Sequence, residues 1–361
     1  MKLNIKWNAL EKRQLLIFVL AAFVVPYVLG IAMGAGFYAG SDVSFFASAQ
    51  MFYPAAGVML ALLFTRKGDS MLPRKFFVCF LVLTVLMLAC SLASVLVPVL
   101  PWALIGNYVM MGGTLAAWVC YFADGKARRA AYGLRLTGTG GTNSFLMLAL
   151  FMVLYFARIF ILSGLMTLAA PSLAADAAMP EWWSPLIALF NLALMPLSFV
   201  LAFTAFFGEE YGWRGFLQPL LQKQFEPRGG ILVLGAVWGL WHLPINIFYY
   251  SPDTWVLSVL NQVFLCICYS VFFGFAYAKT KSIWAPVMIH FFNNNAVLLF
   301  ASADSIGSQV LDWLSILLSL AVMGILYLPF FASRVFRQGG AVPGLPRHEG
   351  AACAGAVSEK E

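Results

Sequence analysis

The chain has 361 residues, of which 62% are hydrophobic and only 10% charged. Water-soluble domains carry about 25% charged residues, so this composition excludes an ordinary soluble globule and points to an integral protein of the cell membrane. The net charge of +7 comes from 22 Lys and Arg against 15 Asp and Glu. In a membrane protein that excess reflects basic cytoplasmic loops rather than nucleic-acid binding, and no zinc-type or RNA-type motif accompanies it.

A spanning helix needs about 20 mostly apolar residues. Ten runs qualify in chain order: 14–37, 47–65, 76–97, 102–122, 144–167, 185–207, 231–250, 256–278, 283–301 and 312–333. The first is too long, and lacks the cleavage pattern, for a removed signal peptide. The segment before the first run holds Lys2, Lys6, Lys12 and Arg13, and the second connection holds Arg66, Lys67, Arg74 and Lys75. The fourth holds Lys126, Arg128, Arg129 and Arg135, and the sixth Arg214, Lys223 and Arg228. Lys279 and Lys281 follow in the eighth, and Arg334, Arg337 and Arg347 in the tail. The odd connections carry only acids: Asp42, Asp176 with Glu181, Asp253 and Asp304. This alternation predicts an all-α polytopic helix bundle of about ten transmembrane helices, with both termini cytoplasmic.

Three regions are expected: residues 1–143 with helices 1–4, residues 144–335 with helices 5–10, and a disordered, Gly-, Ala- and Pro-rich cytoplasmic tail over 336–361. Five of the six cysteines lie in apolar runs and Cys353 lies in the tail, so no disulfide framework is implied.

With the membrane as solvent, the informative residues are the polar ones inside it. The stretch "EEYGWRG", 209–215, ends the sixth run. Glu210 and Arg214 are i and i+4 and share a helix face, whereas Glu209 points about 100° away from Glu210. One acid is thereby neutralised while the other faces a cavity. In the seventh run Trp238, His242 and Asn246 form a stripe spaced by four, and in the ninth His290 and Asn294 are again i and i+4. Counted from the cytoplasmic ends, His242 lies about 15 Å in and His290 about 10 Å in. Three helices thus bring Glu, two His and Asn to a similar depth. Taken singly, each has a plainer reading: a packed interhelical histidine, an interfacial ion pair, an asparagine that only joins helices.

A carboxylate in a low-dielectric site suits general-base activation of water. A neighbouring histidine can share that water, and a second His with an Asn amide suits the oxyanion of carbonyl hydrolysis. The chain lacks H-E-x-x-H, G-x-S-G, and an intramembrane aspartate in a G-x-G-D setting, the marks of other intramembrane proteases. A His–His–Glu set also satisfies zinc's ligand preferences, and a Glu–His relay would suit a proton-coupled transporter.

The three motifs together resemble those of the CPBP family, the CAAX-protease and bacteriocin-processing family of intramembrane glutamic endopeptidases. "EEYGWRG" is similar to its E-E-x-x-x-R motif, "WGLWH" (238–242) to its aromatic-x-x-x-His motif with Trp where Phe is common, and "HFFNN" (290–294) to H-x-x-x-N. The resemblance covers about residues 185–300. It implies Glu209 as general base, His242 positioning the same water, Glu210 and Arg214 supporting the site, and His290 with Asn294 stabilising the oxyanion. Trp238 and Asn246 are expected as supporting residues. It further implies hydrolysis without a metal or other cofactor, and a membrane-embedded or lipidated peptide or protein as substrate. Some members of that family are non-catalytic, associated with bacteriocin immunity or scaffolding.

Overall fold

A computed structural model describes residues 5–169, 171, 183–301 and 303–337. The expected disordered tail and Cys353 lie outside the described residues. Among the described residues there are helices and turns and no strand. Among the described residues, eight helical stretches are long and apolar enough to cross a membrane, with Pro185–Trp241 counted as one.

The first four are α1 (Ala9–Tyr38), α2 (Ser44–Thr65), α3 (Arg74–Leu96) and α4 (Trp102–Ala123). A short helix α5 (Gly125–Ala131) follows, then α6 (Ser144–Ala169) and α7 (Pro185–Glu210). A π-helical segment, Tyr211–Leu217, continues α7 directly into α8 (Gln218–Trp241). The last are α9 (Trp255–Thr280), α10 (Trp284–Asn295) and α11 (Trp313–Tyr327).

Local chemistry sets several of these boundaries. Asn8 and Glu11 form a reciprocal capping box at the start of α1, with bonds of 2.8 and 2.9 Å. Ser184 caps α7, and Pro185 occupies its first turn, where a missing N–H costs nothing.

Three of the ten expected runs take a different form. The sixth and seventh follow one another without a loop and meet at a kink, where Phe225 and Glu226 leave helical geometry and Glu226 has a left-handed φ of 64°. There the chain reverses so tightly that a Cβ on Gly230 would lie 2.5 Å from the Gln222 nitrogen. The ninth run forms a twelve-residue helix, α10, followed by a 3-10 turn at Ala296–Leu299. At 1.5 Å per residue α10 is about 18 Å long, well short of a ~30 Å hydrocarbon core. Its end coincides with three consecutive asparagines, and Asn295 Nδ2 donates to the Phe291 carbonyl (2.9 Å).

Small residues bring the functional helices close. In lipid, helix association relies on backbone approach and van der Waals contact. Gly208 and Gly212 lie flat against Met51 and Pro54 of α2. Gly235 and Gly239 do the same for α8 on α9, against Ile267 and Val263. A Cβ at Gly235 would sit 2.5 Å from the Ile267 Cα. Gly235→Val is therefore expected to force α8 and α9 apart and to destabilise the protein by about 1–3 kcal/mol. Thermal unfolding in detergent checks this; an unchanged melting temperature would show that the contact yields freely.

Candidate active site

The last turn of α7 is fully enclosed. Glu209 is 2% exposed, and Glu210 and Arg214 are completely buried. Unpaired charges there would cost several kcal/mol each, so their partners decide what the site is.

The two adjacent acids have separate environments. Glu210 Oε1 accepts from Arg214 Nη1 at 3.1 Å, one helical turn on, and from His290 Nδ1 of α10 at 2.8 Å. The Arg214 guanidinium lies over the Trp238 ring at 4.2 Å and the Phe273 ring at 4.9 Å. These π faces offset the desolvation of Arg214, whose Nε and Nη2 have no hydrogen-bond partner among the described residues. Glu209 instead accepts two indole N–H bonds on the same oxygen, Oε2, from Trp213 (3.2 Å) and Trp238 (2.7 Å). No cation pairs with it among the described residues.

The histidines are oriented by what their Nδ1 atoms meet. His242 ends α8, and its Nδ1 lies 2.8 Å from the Trp238 carbonyl. A carbonyl oxygen can only accept, so Nδ1 carries the proton and Nε2 of the neutral ring is left with a lone pair. His290 Nδ1 meets a carboxylate and by the same argument donates. The His290 ring is caged by Phe206, Trp238 and Phe273, with centroids 5.5–5.9 Å away.

Of the residues singled out from sequence, Glu209, Glu210, Arg214, Trp238 and His290 form one contact cluster. His242 adjoins it through Trp238, with rings 6.1 Å apart. Asn246 stands one step back: its Nδ2 donates to the His242 carbonyl (2.9 Å), and its Oδ1 accepts from Ser258 of α9 (2.5 Å). It thereby ties the end of α8 to α9. Asn294 is exposed on the last turn of α10, and its Oδ1 accepts from Asn293 (2.9 Å) rather than meeting His290.

Trp213 was not among the sequence candidates. Its signal was present: it stands four residues after Glu209, the offset that joins Glu210 to Arg214. It is held in turn by α1 and α8. Phe18, Phe23 and Trp241 pack edge-on around it at 5.3–5.9 Å. Trp241 Nε1 donates to the Ala22 carbonyl (2.6 Å) inside the π-helical stretch of α1, and Gln50 of α2 holds the Trp241 carbonyl (2.9 Å). The first two helices thus buttress the carboxylate.

Trp213→Phe keeps the ring packing and removes one donor to a buried carboxylate. It is expected to lower stability by about 2 kcal/mol, and by much less in a Glu209→Gln background, where the acceptor is neutral. A double-mutant cycle on thermal unfolding reads this; equal effects in both backgrounds would dissociate Trp213 from the carboxylate.

No group of three His, Cys, Asp or Glu side chains converges with metal-ligand spacing among the described residues. The five described cysteines are free thiols.

Residues 191–296 match a family model described as type II CAAX prenyl endopeptidase Rce1-like. Neither a comparison with curated proteins nor one with solved structures returned a match. The matched segment holds most of α7, the π segment, α8, α9 and all of α10. Every residue of the cluster therefore falls inside it, and the buttress from α1 and α2 falls outside.

Proposed function

We propose, from the premise that this chain belongs to the CAAX-protease (CPBP) family through residues 191–296, that this multi-pass membrane protein hydrolyses a peptide bond of a membrane-associated substrate with water activated by Glu209. The observation that carries this reading is the unequal treatment of two neighbouring acids. Glu210 is compensated by Arg214 and engaged by His290. Glu209 has no cation, and both of its donors fall on Oε2, which leaves Oε1 as the oxygen that meets a water.

The reaction then runs as general-base hydrolysis. Water lies between Glu209 Oε1 and the lone pair of His242 Nε2. Its oxygen attacks the scissile carbonyl carbon while one proton passes to Glu209. Negative charge collects on the carbonyl oxygen. His290, set against the Glu210 carboxylate through Nδ1, turns its Nε2 to that oxygen as the donor in this reading. Asn294 is the second donor in this reading; its exposure leaves its amide to meet a bound substrate rather than protein. Collapse of the tetrahedral species expels the amine, which takes the proton from Glu209. The carboxyl product leaves with the hydroxyl, and Glu209 is again a carboxylate. Each step uses side chains of this chain alone.

The substrate in this reading is a peptide or protein held at the bilayer, lipidated or membrane-embedded, because the cluster is enclosed by membrane helices. The test is turnover of membrane-reconstituted peptides by the purified full-length protein, with cleavage products read by mass spectrometry. Products are expected from the wild type and not from Glu209→Gln. A folded wild-type protein that cleaves nothing while binding the same peptides would favour a non-catalytic member of the family.

A further inference from the structure

A cavity of about 590 Å³ lies apart from the Glu209 cluster, walled by the C-terminal end of α4, by α5 and by the loop that follows it. Tyr121, Lys126, Arg129, Arg135, Leu136 and Thr137 line it, and none of its lining residues is acidic. Three cations on one small concavity with no acid among its walls make a site for an anion.

The wall is built rather than incidental. Arg129 is buried, with its guanidinium stacked 4.3 Å over the Tyr121 ring and 5.2 Å from that of Phe122, and its Nε donates to the Gly125 carbonyl (3.3 Å). Stacking fixes the plane of the guanidinium, and a planar guanidinium with its fork of N–H donors suits a phosphate oxyanion. Lys126 and Arg135 are exposed at the rim.

The surroundings say what carries the phosphate. Leu115, Val119 and Phe122 are exposed at 4- and 3-residue offsets on α4, an apolar stripe that climbs the helix to the cavity, and Leu136 is exposed beside it. α4 is one of the membrane-crossing candidates, so its end stands at headgroup level and the stripe faces acyl chains. We propose that this cavity binds the phosphate headgroup of an anionic phospholipid, with an acyl chain along Leu115, Val119 and Phe122.

The site is mechanically joined to the catalytic helices. The Leu134 carbonyl, next to Arg135, accepts from Trp284 Nε1 at the start of α10 (3.3 Å), and the Tyr132 carbonyl accepts from the Tyr211 hydroxyl in the π segment (3.1 Å). A bound lipid therefore stiffens the loop that holds both.

The test uses the full-length protein in neutral detergent and does not depend on peptidase activity. Phosphatidylglycerol, phosphatidylcholine and inorganic phosphate are titrated while thermal unfolding is followed, and retained lipid is counted by native mass spectrometry. Phosphatidylglycerol is expected to raise the melting temperature and to be retained, with phosphatidylcholine and inorganic phosphate inactive. Each basic residue near an anionic surface contributes roughly fivefold in affinity. Lys126→Ala with Arg135→Ala is therefore expected to weaken phosphatidylglycerol binding about 25-fold, while the lipid-free melting temperature stays put because both side chains are exposed. Lys126→Gln alone, expected to weaken it about fivefold, serves if the double variant is unstable. Undiminished phosphatidylglycerol binding in the variants, equal retention of phosphatidylcholine, or a full response to inorganic phosphate alone would each overturn the assignment.

Discussion

Glu209→Gln is expected to lower kcat by about three orders of magnitude, the middle of the range for loss of a general base, while leaving the protein folded and inserted. The substitution is nearly isosteric. Its amide oxygen can take the place of Oε2 and accept from Trp213 and Trp238, which hold that oxygen at 3.2 and 2.7 Å. Its amide nitrogen then occupies the place of Oε1 and has no lone pair for a water proton. Substrate contacts made elsewhere persist, so KM should move little. The measurement is steady-state cleavage of a reconstituted peptide, with melting temperature and membrane insertion as controls. A folded Glu209→Gln protein with wild-type turnover would remove Glu209 from the chemistry.

Arg214→Leu should instead act on the whole molecule. Arg214 is wholly buried, bonded to Glu210 and sandwiched against Trp238 and Phe273. Removing one partner of a buried ion pair leaves the other charge uncompensated and typically costs 3–5 kcal/mol, so a loss of about 4 kcal/mol is expected. Glu210 would keep only His290. Arg214→Lys is expected to recover less than half of that loss, because an ammonium cannot stack flat on two rings while bonding a carboxylate. Thermal or denaturant unfolding in detergent separates the outcomes. Full rescue by lysine would show that charge alone matters and that the ring contacts contribute nothing.

These two expectations rest on different layers of information. The membrane class followed from composition and run length, because hydropathy over about 20 residues is a local property. The Glu210–Arg214 pair was legible from its i,i+4 spacing, a consequence of helix geometry alone. The motifs on α7, α8 and α10 were legible because polar residues in apolar runs are few.

Tertiary structure decided how those parts meet. The bond between Glu210 and His290 joins residues 80 positions apart, and no periodicity encodes it. The second partner of each acid arrives from a distant run: the His290 ring from α10 to Glu210, and the Trp238 indole from α8 to Glu209. The π segment at Tyr211–Leu217 was invisible, since its i+5 turns are paid for by packing against neighbours rather than by propensity. The shortness of α10 is local instead: three consecutive asparagines close its apolar run, and Asn295 Nδ2 bonds the Phe291 carbonyl one turn back in the same helix.

By itself, then, the sequence determined a helical membrane protein with its polar residues concentrated on three runs, because those are matters of spacing and solvent. Only the folded bundle decided that His290 also holds Glu210, that the Trp238 indole reaches Glu209, and that α1 and α2 brace them, because each of these depends on side chains brought together from distant runs.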